Sequence, residues 1–191
     1  ISHELRTPLN SVLGHGELLR DELAELGQER LLADVVRISD ASEHMLALIN
    51  DLLDISRIEA GAIELRIARV DLAALAGGVA DTMGPLVAAQ HNTLTLTIAD
   101  GLPQVASDGR RLRQVLLNLL GNACKFTERG EIGLVVEPGP GDAVRLRVCD
   151  TGVGMTPEQL GRIFVPFVQV DASEARRDQG SGLGLAITRR L

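Results

Sequence analysis

A heptad seam at the start of the chain is the feature that most restricts its fold. Apolar or small residues recur at alternating spacings of four and three, at Leu5, Leu9, Val12, Gly16, Leu19, Leu23 and Leu26. The polar stretch Gly27-Gln28-Glu29 interrupts the pattern, and a second seam follows at Leu31, Val35, Ile38, Ser42, Met45, Ile49, Leu52 and Ser56. Two helices joined by a short turn form an antiparallel hairpin. The second helix also carries an apolar flank, which one partner helix cannot cover, so the pattern predicts a homodimeric four-helix bundle; the flank comprises Leu32, Leu46 and Leu53.

The apolar pattern changes after Gly61, where a second domain begins. Residues 63–67 alternate like a strand, and Asp71 precedes an amphipathic helical pattern that it can cap. Further along, the sequence predicts a strand at 93–98, a helix at 112–123 and a hairpin of strands at 131–137 and 143–150. Helices on one face of such a sheet form an α+β sandwich. We therefore divide the chain into a helical hairpin at 1–61 and an α+β domain at 62–191.

Composition and charge exclude several classes of function. The 191 residues carry a formal net charge of -7 and include neither Trp nor Tyr, so nucleic acid is not an expected partner. Cys124 and Cys149 lack a metal-ligand spacing, so we expect small buried hydrophobic residues in a reducing, cytoplasmic setting. No apolar run approaches the roughly 18 residues of a membrane span, so no direct membrane contact is expected. Because the chain opens at Ile1 rather than Met, we expect a longer protein whose upstream part can include an anchor.

His3 and Glu4 lie beside the seam of the first helix, where both side chains point away from the partner helix. A neutral imidazole is a competent nucleophile toward phosphorus, and an adjacent carboxylate can keep one ring nitrogen protonated while the other attacks. Pro8 removes a helical hydrogen bond, a cost usually tolerated at functional positions. Thr7 lies one turn after His3, where its hydroxyl can orient a water. A solvated His beside a solvated Glu is the alternative for this pair.

The helix predicted at 112–123 has a polar stripe beside an apolar face of Leu112, Val115, Leu116, Leu119 and Ala123. Asn118 and Asn122 lie one turn apart on this stripe, Gln114 precedes them and Lys125 follows. Amide oxygens can ligate Mg²⁺ without adding charge, and the ammonium group can reach a phosphate chain. The stripe therefore predicts a site for a metal and phosphates, with a solvated helix face as the alternative.

Asp150 ends the last predicted strand on the same side as Val144, Leu146 and Val148. A carboxylate aimed at a core needs a partner, and an exocyclic amine such as that of adenine would satisfy it. Gly152 and Gly154 follow at once, and glycines let the backbone approach a planar ligand closely. A hairpin turn with a capped Asp is the alternative.

A second glycine cluster consists of Gly180, Gly182 and Gly184 around Leu183, and it precedes a helical run at 186–191. Free amide hydrogens and the positive end of a helix dipole suit a phosphate, although a lone glycine cluster is a weak signal. Between the glycine motifs, Phe164 and Phe167 precede a polar stretch at 171–179. An aromatic hinge followed by a polar loop predicts a movable lid.

Five motifs in this order resemble those of the sensor histidine kinases of two-component systems, over essentially the whole chain. SHELRTPL is similar to the phosphoacceptor box, NLLGNACKFT to the asparagine box, DTGVGM to the first glycine box, FVPF to the phenylalanine box and GSGLGL to the second glycine box. The stretch Asp108 to Gln114 and the pair Arg176-Arg177 resemble kinases that often carry attached receiver domains. The resemblance implies a dimerisation and phosphotransfer hairpin followed by the sandwich shared with gyrase-type and heat-shock ATPases.

The resemblance also implies roles for individual residues. It makes His3 the acceptor of the terminal phosphoryl group of ATP and Glu4 its base. It makes Asn122 the ligand of Mg²⁺, Asp150 the partner of adenine, and Phe164 and Phe167 the hinge of the lid.

The resemblance further implies two protein partners, a second copy of the chain and a response-regulator receiver whose aspartate takes the phosphoryl group. In the reverse task, Thr7 would position water to dephosphorylate that receiver. Family members continue with further strands, so we expect the sheet to be incomplete at Leu191. The alternatives are an ATP-driven clamp of the gyrase type, which lacks a histidine-bearing hairpin, and a dimerising scaffold with a decayed pocket.

Overall fold

The structure is a computed structural model that describes the backbone of residues 2–168 and 181–191 and the side chains of residues 6–168 and 181–191. The chain divides into two compact units, Ile1–Ala62 and Ile63–Leu191. Each unit is built mainly from elements that its own sequence pattern favours.

The first unit is a hairpin of two long helices, α1 (Ser2–Glu25) and α2 (Glu29–Glu59). Gly27 adopts a φ of 65° in the turn between them, a conformation that favours glycine. Gly16 is buried where the two helices pack, and a Cβ at this position would lie only 2.6 Å from Oγ of Ser39. Glycine therefore lets the helices approach each other closely here. The predicted hairpin is therefore confirmed.

The face of α2 that packs within the hairpin is shifted from the predicted seam toward the flank. The flank residues Leu32, Leu46 and Leu53 are half-buried within the hairpin. The predicted seam divides into an exposed half and an inner half. Leu31, Ile38, Met45 and Leu52 are exposed in the single chain, whereas Val35 and Ile49 are half-buried and Ser42 is buried. The predicted seam is therefore confirmed at its inner half only, because spacing alone does not say which part of a wide apolar face meets the nearer partner.

The second unit begins with a short antiparallel pair, β1 (Ala68–Val70) with β3 (Val105–Ser107). The strand predicted at 63–67 is therefore wrong, and Leu65 and Ile67 are exposed. Asp71 caps α3 (Leu72–Ala89) as predicted, and its Oδ1 accepts from the backbone N–H of Ala74 at 2.9 Å. By length and composition α3 would suit a membrane span, but it buries one apolar face in the core of this unit, as the core helix of a globular domain does.

The main sheet has the order β2-β4-β5, formed by β2 (Thr93–Ile98), β4 (Glu131–Pro138) and β5 (Val144–Asp150). These bounds confirm the predicted strands. β4 runs parallel to β2 and antiparallel to β5. The parallel pair is joined through α4 (Gly109–Phe126), as parallel strands require a crossover connection. Two short helices follow, α5 (Pro157–Leu160) and α6 (Gly184–Arg190).

The core of this unit lies between the sheet and the helices α3 and α4. The central strand β4 contributes Ile132, Leu134 and Val136, all with no exposed surface. Alternate residues of β4 face this core because side chains on a strand alternate between its faces. The arrangement is the predicted α+β sandwich, and it leaves the ends of α4 and β5 free to carry polar groups.

Candidate functional site

Helix α4 turns its polar stripe away from the core. The buried face is centred on Leu116, Leu120, Ala123 and Cys124, so it is rotated from the predicted face, and Val115 and Leu119 are only half-buried. The stripe lies opposite this face but is not fully solvated, because its members are all half-buried, namely Gln114, Asn118, Asn122 and Lys125. A half-buried row of amides and one ammonium differs from a solvated helix face and is suited to a polar ligand.

Asn118 joins this stripe to the second glycine motif. Its Nδ2 donates to the backbone carbonyl oxygen of Gly184 at 3.3 Å. A Cβ on Gly184 would lie 3.4 Å from Cγ of Asn118, so glycine lets the first turn of α6 approach α4 closely. The structure therefore brings together two predicted site residues that are far apart in the sequence.

Lys125 ends the stripe beside the start of the turn that follows α4. Burial lowers the pKa of its ammonium group. Its Nζ lies 5.2 Å from the centre of the Phe126 ring, within range of a cation–π interaction. A partly desolvated ammonium group at this position gains more from an anionic ligand than a fully hydrated one would.

The first glycine motif packs against the end of α4. The backbone N–H of Val153 donates to the carbonyl oxygen of Phe126 at 3.3 Å. A Cβ on Gly152 would overlap that same oxygen, so no larger residue fits there without movement. Gly154 adopts a φ of 66°, in the left-handed region that favours glycine. The local backbone geometry thus explains why glycine is needed at both predicted positions.

Asp150 lies at the end of β5, where its Oδ1 accepts from the backbone N–H of Gly152 at 3.0 Å. It shares the side of β5 that packs against the core, as the alternation predicts, but its carboxylate is exposed rather than aimed into the core. The strand ends here, so this side of β5 opens to solvent at Asp150. One carboxylate oxygen is thus held by the glycine motif and the group is accessible to a ligand.

The two cysteines differ from each other. Cys124 is buried, as predicted, and burial raises the pKa of its thiol. Cys149 is exposed, so that prediction is wrong. The alternation that places Asp150 on the core side puts Cys149 on the opposite face with Arg145 and Arg147, and this signal was available in the sequence.

The phenylalanine motif contacts both the second glycine motif and the last helix. The backbone N–H of Phe167 donates to the carbonyl oxygen of Gly182 at 3.2 Å, and both residues have a positive φ, 62° and 67°. The guanidinium of Arg189 lies 5.2 Å from the centre of the Phe164 ring. No sequence pattern indicated Arg189. These contacts hold the phenylalanine motif beside the second glycine motif and α6, whereas the predicted lid at 171–179 lies outside the described residues.

Other predicted residues of this region are only partly described. Leu183 is 1% exposed, and its N–H is held by Oγ of Ser181 at 3.1 Å. Gly180, the pair Arg176-Arg177 and the rest of the polar stretch at 171–179 lie outside the described residues. The described part of the second glycine motif therefore consists of Gly182, Leu183 and Gly184.

The predicted phosphoacceptor residues lie on α1. The backbone of α1 includes positions 3 and 4, whereas the side chains of His3 and Glu4 lie outside the described part of the chain. Thr7 is exposed, and Pro8 is accommodated inside the helix. Nη2 of Arg6 donates to Oδ1 of Asn50 at 2.8 Å, which connects this end of α1 to α2.

The described residues contain no group of three or more His, Cys, Asp or Glu side chains placed to hold a metal. Among the predicted ligands, the hard oxygen donors on α4 are the amide oxygens of Asn118 and Asn122. Such donors suit Mg²⁺, which commonly takes only one or two protein ligands and completes its shell with water and substrate phosphates.

A sandwich with two glycine motifs, placed after a long helical hairpin, defines a kinase-type ATP-binding domain with an attached phosphoacceptor hairpin. The family described as histidine kinase-, DNA gyrase B- and HSP90-like ATPase matches residues 107–191. The family described as the His Kinase A (phospho-acceptor) domain matches residues 1–61. The chain belongs to the sensor histidine kinases.

Relatives agree with this assignment over the whole chain. The cell-division control histidine kinase PdhS of Brucella ovis is 38% identical over 202 residues, which cover 100% of this chain and 19% of the relative. The non-motile and phage-resistance protein of Caulobacter vibrioides is 39% identical, covering 100% of this chain and 23% of the relative. The chain thus spans about a fifth of the length of these curated relatives.

Solved structures show the same fold. The crystal structure of full-length ShkA in complex with AMPPNP superposes with a TM-score of 0.79 at 40% identity, covering 99% of this chain and 38% of that one. The Acinetobacter baumannii histidine kinase AdeS matches with a TM-score of 0.65 at 25% identity, covering 100% of this chain and 85% of that one. The fold and family predicted from the sequence motifs are therefore confirmed.

Proposed function

We propose that this chain is the catalytic part of a cytoplasmic, ATP-dependent protein kinase that phosphorylates its own His3. The observation that carries the proposal is the contact of Asn118 with Gly184, which places the polar stripe of α4 beside the second glycine motif. A row of amides and an ammonium group next to a glycine-bearing helix start is an arrangement that holds phosphates. The hairpin supplies the acceptor in a separate unit, at residues 1–61.

The adenine end of ATP is assigned to the first glycine motif. The exposed carboxylate of Asp150 would accept from the exocyclic amine of adenine, while Gly152 and Gly154 let the backbone approach the ring. This pairing selects an amine over a carbonyl at that position, and hence adenine over guanine. The phenylalanine hinge and the lid would then exclude water from the phosphates.

The phosphate end is assigned to the polar stripe and to the second glycine motif, Gly180, Gly182, Leu183 and Gly184. Lys125 would reach the phosphate chain, and the amide oxygen of Asn122, with Asn118 beside it, would hold Mg²⁺. When bound, the metal neutralises charge on the phosphates. The residues present fit that role, because neutral amide ligands leave the net charge of the cation available to ATP.

Transfer to His3 requires a neutral imidazole. One ring nitrogen attacks the γ-phosphorus in line, forming an N–P bond as the bond from that phosphorus to the bridging oxygen breaks, and ADP leaves. Glu4 would hold the proton on the other ring nitrogen and stabilise the positive charge that develops on the ring. The product is a phosphohistidine whose phosphoryl group an aspartate of a response-regulator receiver can accept.

The hairpin is also proposed to make a homodimer. The exposed seam of α2, with Ile38, Met45 and Leu52, is too apolar for a face that meets only water. A second hairpin would cover it and complete a four-helix bundle. Thr7, exposed one turn after His3, would position a water for dephosphorylation of the receiver.

Incubation with γ-labelled ATP and Mg²⁺ tests the proposal. A kinase gives labelled protein whose label survives alkali and is lost in acid, and the variant His3→Gln should give none while binding ATP as tightly as the parent chain. Release of inorganic phosphate without labelled protein would indicate a clamp-type ATPase instead. A chain that binds no nucleotide would be the scaffold.

A further inference from the structure

Asn92 occupies a buried junction between three elements of the ATP-binding unit. Its side chain is 8% exposed, a low value for an amide outside a strand or helix. Nδ2 donates to the backbone carbonyl oxygen of Thr127 at 2.8 Å, and Oδ1 accepts from the backbone N–H of Gly130 at 2.8 Å. The two ends of one carboxamide therefore hold the two ends of the turn at 127–130, which follows α4.

The backbone around Asn92 is fixed as well. Its N–H donates to the carbonyl oxygen of Val87 at 3.0 Å, at the end of α3, and the preceding residue His91 adopts a φ of 58°. The next residue, Thr93, donates to the carbonyl oxygen of Gly130 at 2.9 Å and begins β2. Asn92 is thus anchored to α3 and β2 before its side chain reaches the turn.

The turn at 127–130 lies between the two proposed ends of the nucleotide site. On one side it continues α4, which carries Asn122 and Lys125. On the other side it leads into Glu131, whose N–H donates to Oγ1 of Thr151 at 2.9 Å in the first glycine motif. A Cβ on Gly130 would overlap that same hydroxyl, so the turn and the motif are in close contact.

We infer that Asn92 is a positioning residue that sets the relative placement of the phosphate end and the adenine end of the site. It touches neither end itself, and it acts through the turn that joins them. The inference rests on the proposed function, which assigns Asn122 and Lys125 to phosphates and Asp150 to adenine. A ligand that engages both ends should depend on Asn92, whereas a ligand that engages one end should not.

Binding by the full chain distinguishes these cases with three probes. ATP with Mg²⁺ engages both ends, adenosine engages the adenine end, and inorganic tripolyphosphate with Mg²⁺ engages the phosphate end. In Asn92→Ala the buried Thr127 carbonyl and Gly130 N–H lose their partner, so we expect about a tenfold or larger loss of ATP affinity. The affinities for adenosine and tripolyphosphate should each change less than about twofold. The far-UV circular dichroism of each variant is compared with that of the parent, because unfolded chain in equilibrium with folded chain would raise the apparent dissociation constants of all three probes by the same factor.

Two further variants keep the test decisive. Asn92→Asp retains the acceptor for the N–H of Gly130 but places an oxygen against the carbonyl oxygen of Thr127, so it should also lose ATP affinity selectively. Thr97→Ala alters an exposed residue of β2, the strand that follows Asn92, and should change none of the three affinities. Equal losses for all three probes in the Asn92 variants, or no loss for any, would overturn the inference. A parent chain that binds no ATP would overturn the proposed function, and with it the inference.

Discussion

The backbone N–H of Arg66 donates to Oδ2 of Asp108 at 2.9 Å, although 42 residues separate the two in sequence. The other carboxylate oxygen of Asp108 accepts from the N–H groups of Arg110 and Arg111 at the start of α4. One buried carboxylate thus caps α4 and holds the segment that leads into β1. Because β1 pairs with β3 directly before Asp108, this contact fixes the start of the helix that carries the polar stripe.

Stability should depend on the ionisation of Asp108. The N–H of Arg66 is the largest influence that lowers the pKa of this carboxyl; the N–H groups of Arg111 and Arg110 and the charge of Arg110 lower it further, against the opposing effect of burial. Because the pKa of Asp108 is lower in the folded chain than in the unfolded chain, the ionised carboxylate stabilises the fold. This contribution is present in full above the unfolded pKa of about 3.9. That contribution is lost as pH falls through the folded pKa.

Asp108→Asn tests this expectation. The amide can still cap α4 but presents a donor toward Arg66, so the variant should be less stable than the parent from pH 5 to 7, and the difference should shrink below about pH 4. Because the chain has no Trp or Tyr, circular dichroism and hydrogen exchange of α4 peptides are the suitable probes. A difference that stays constant down to about pH 2.5 would contradict the role of the charge.

Asp150→Asn should weaken ATP binding far more than it changes the helicity of the hairpin. The amide can still accept from Gly152, but the ligand loses a hydrogen bond to a charged acceptor, worth about 1.5 to 3 kcal/mol. Titration calorimetry measures the affinity directly. An unchanged dissociation constant would remove Asp150 from the adenine site.

Gly152→Ala should lower nucleotide affinity by about tenfold or more, because its Cβ would overlap the carbonyl oxygen of Phe126 and displace the glycine motif. Gly77→Ala is the matched control, since a Cβ on this α3 residue meets nothing within 4 Å. The control should raise the free energy of unfolding by about 0.5 to 1 kcal/mol and leave binding unchanged. Equal affinities for the two variants would show that the close packing of Gly152 has no bearing on the site.

Thr7→Ala should spare autophosphorylation and impair phosphatase activity. Transfer to His3 has no use for a hydroxyl one turn later, whereas hydrolysis of a receiver phosphoaspartate needs a water held in line. The substitution slightly favours helix, so a folding defect is not expected. The measurements are loss of label from a phosphorylated cognate receiver and labelling of His3 under the same conditions. If both activities fall together, Thr7 has a structural role beside Pro8.

Local patterns predicted much of the fold. The heptad pattern predicted both helices of the hairpin, and the alternation of residues predicted β2 with its observed bounds. Asp71 indicated the start of α3. These features depend on residues a few positions apart, which a sequence displays directly. The motif residues of the site could likewise be identified from the sequence, and their roles are predictions.

Long-range contacts account for the differences. Alternation at 63–67 favoured a strand, but pairing with β3 begins only at Ala68, while the backbone of Arg66 binds Asp108. The contact of Phe164 with Arg189 and the clamp by Asn92 likewise join residues more than 20 positions apart. No local spacing encodes such partners. Cys149 is different, because the alternation of β5 already placed it on the outer face.

The parallel pairing of β2 with β4 has a consequence for the order of folding. Their register can form only after the long intervening connection, including α4, has closed, and such non-local closure is entropically slow. The hairpin of α1 and α2 can instead grow outward from the turn at Gly27, where the first contacts are local. We expect the proposed nucleotide site on α4, which also needs the glycine motifs packed against this helix, to be complete only after the rate-limiting step of folding. A nucleotide that binds there should slow global unfolding of this unit and leave its refolding rate almost unchanged.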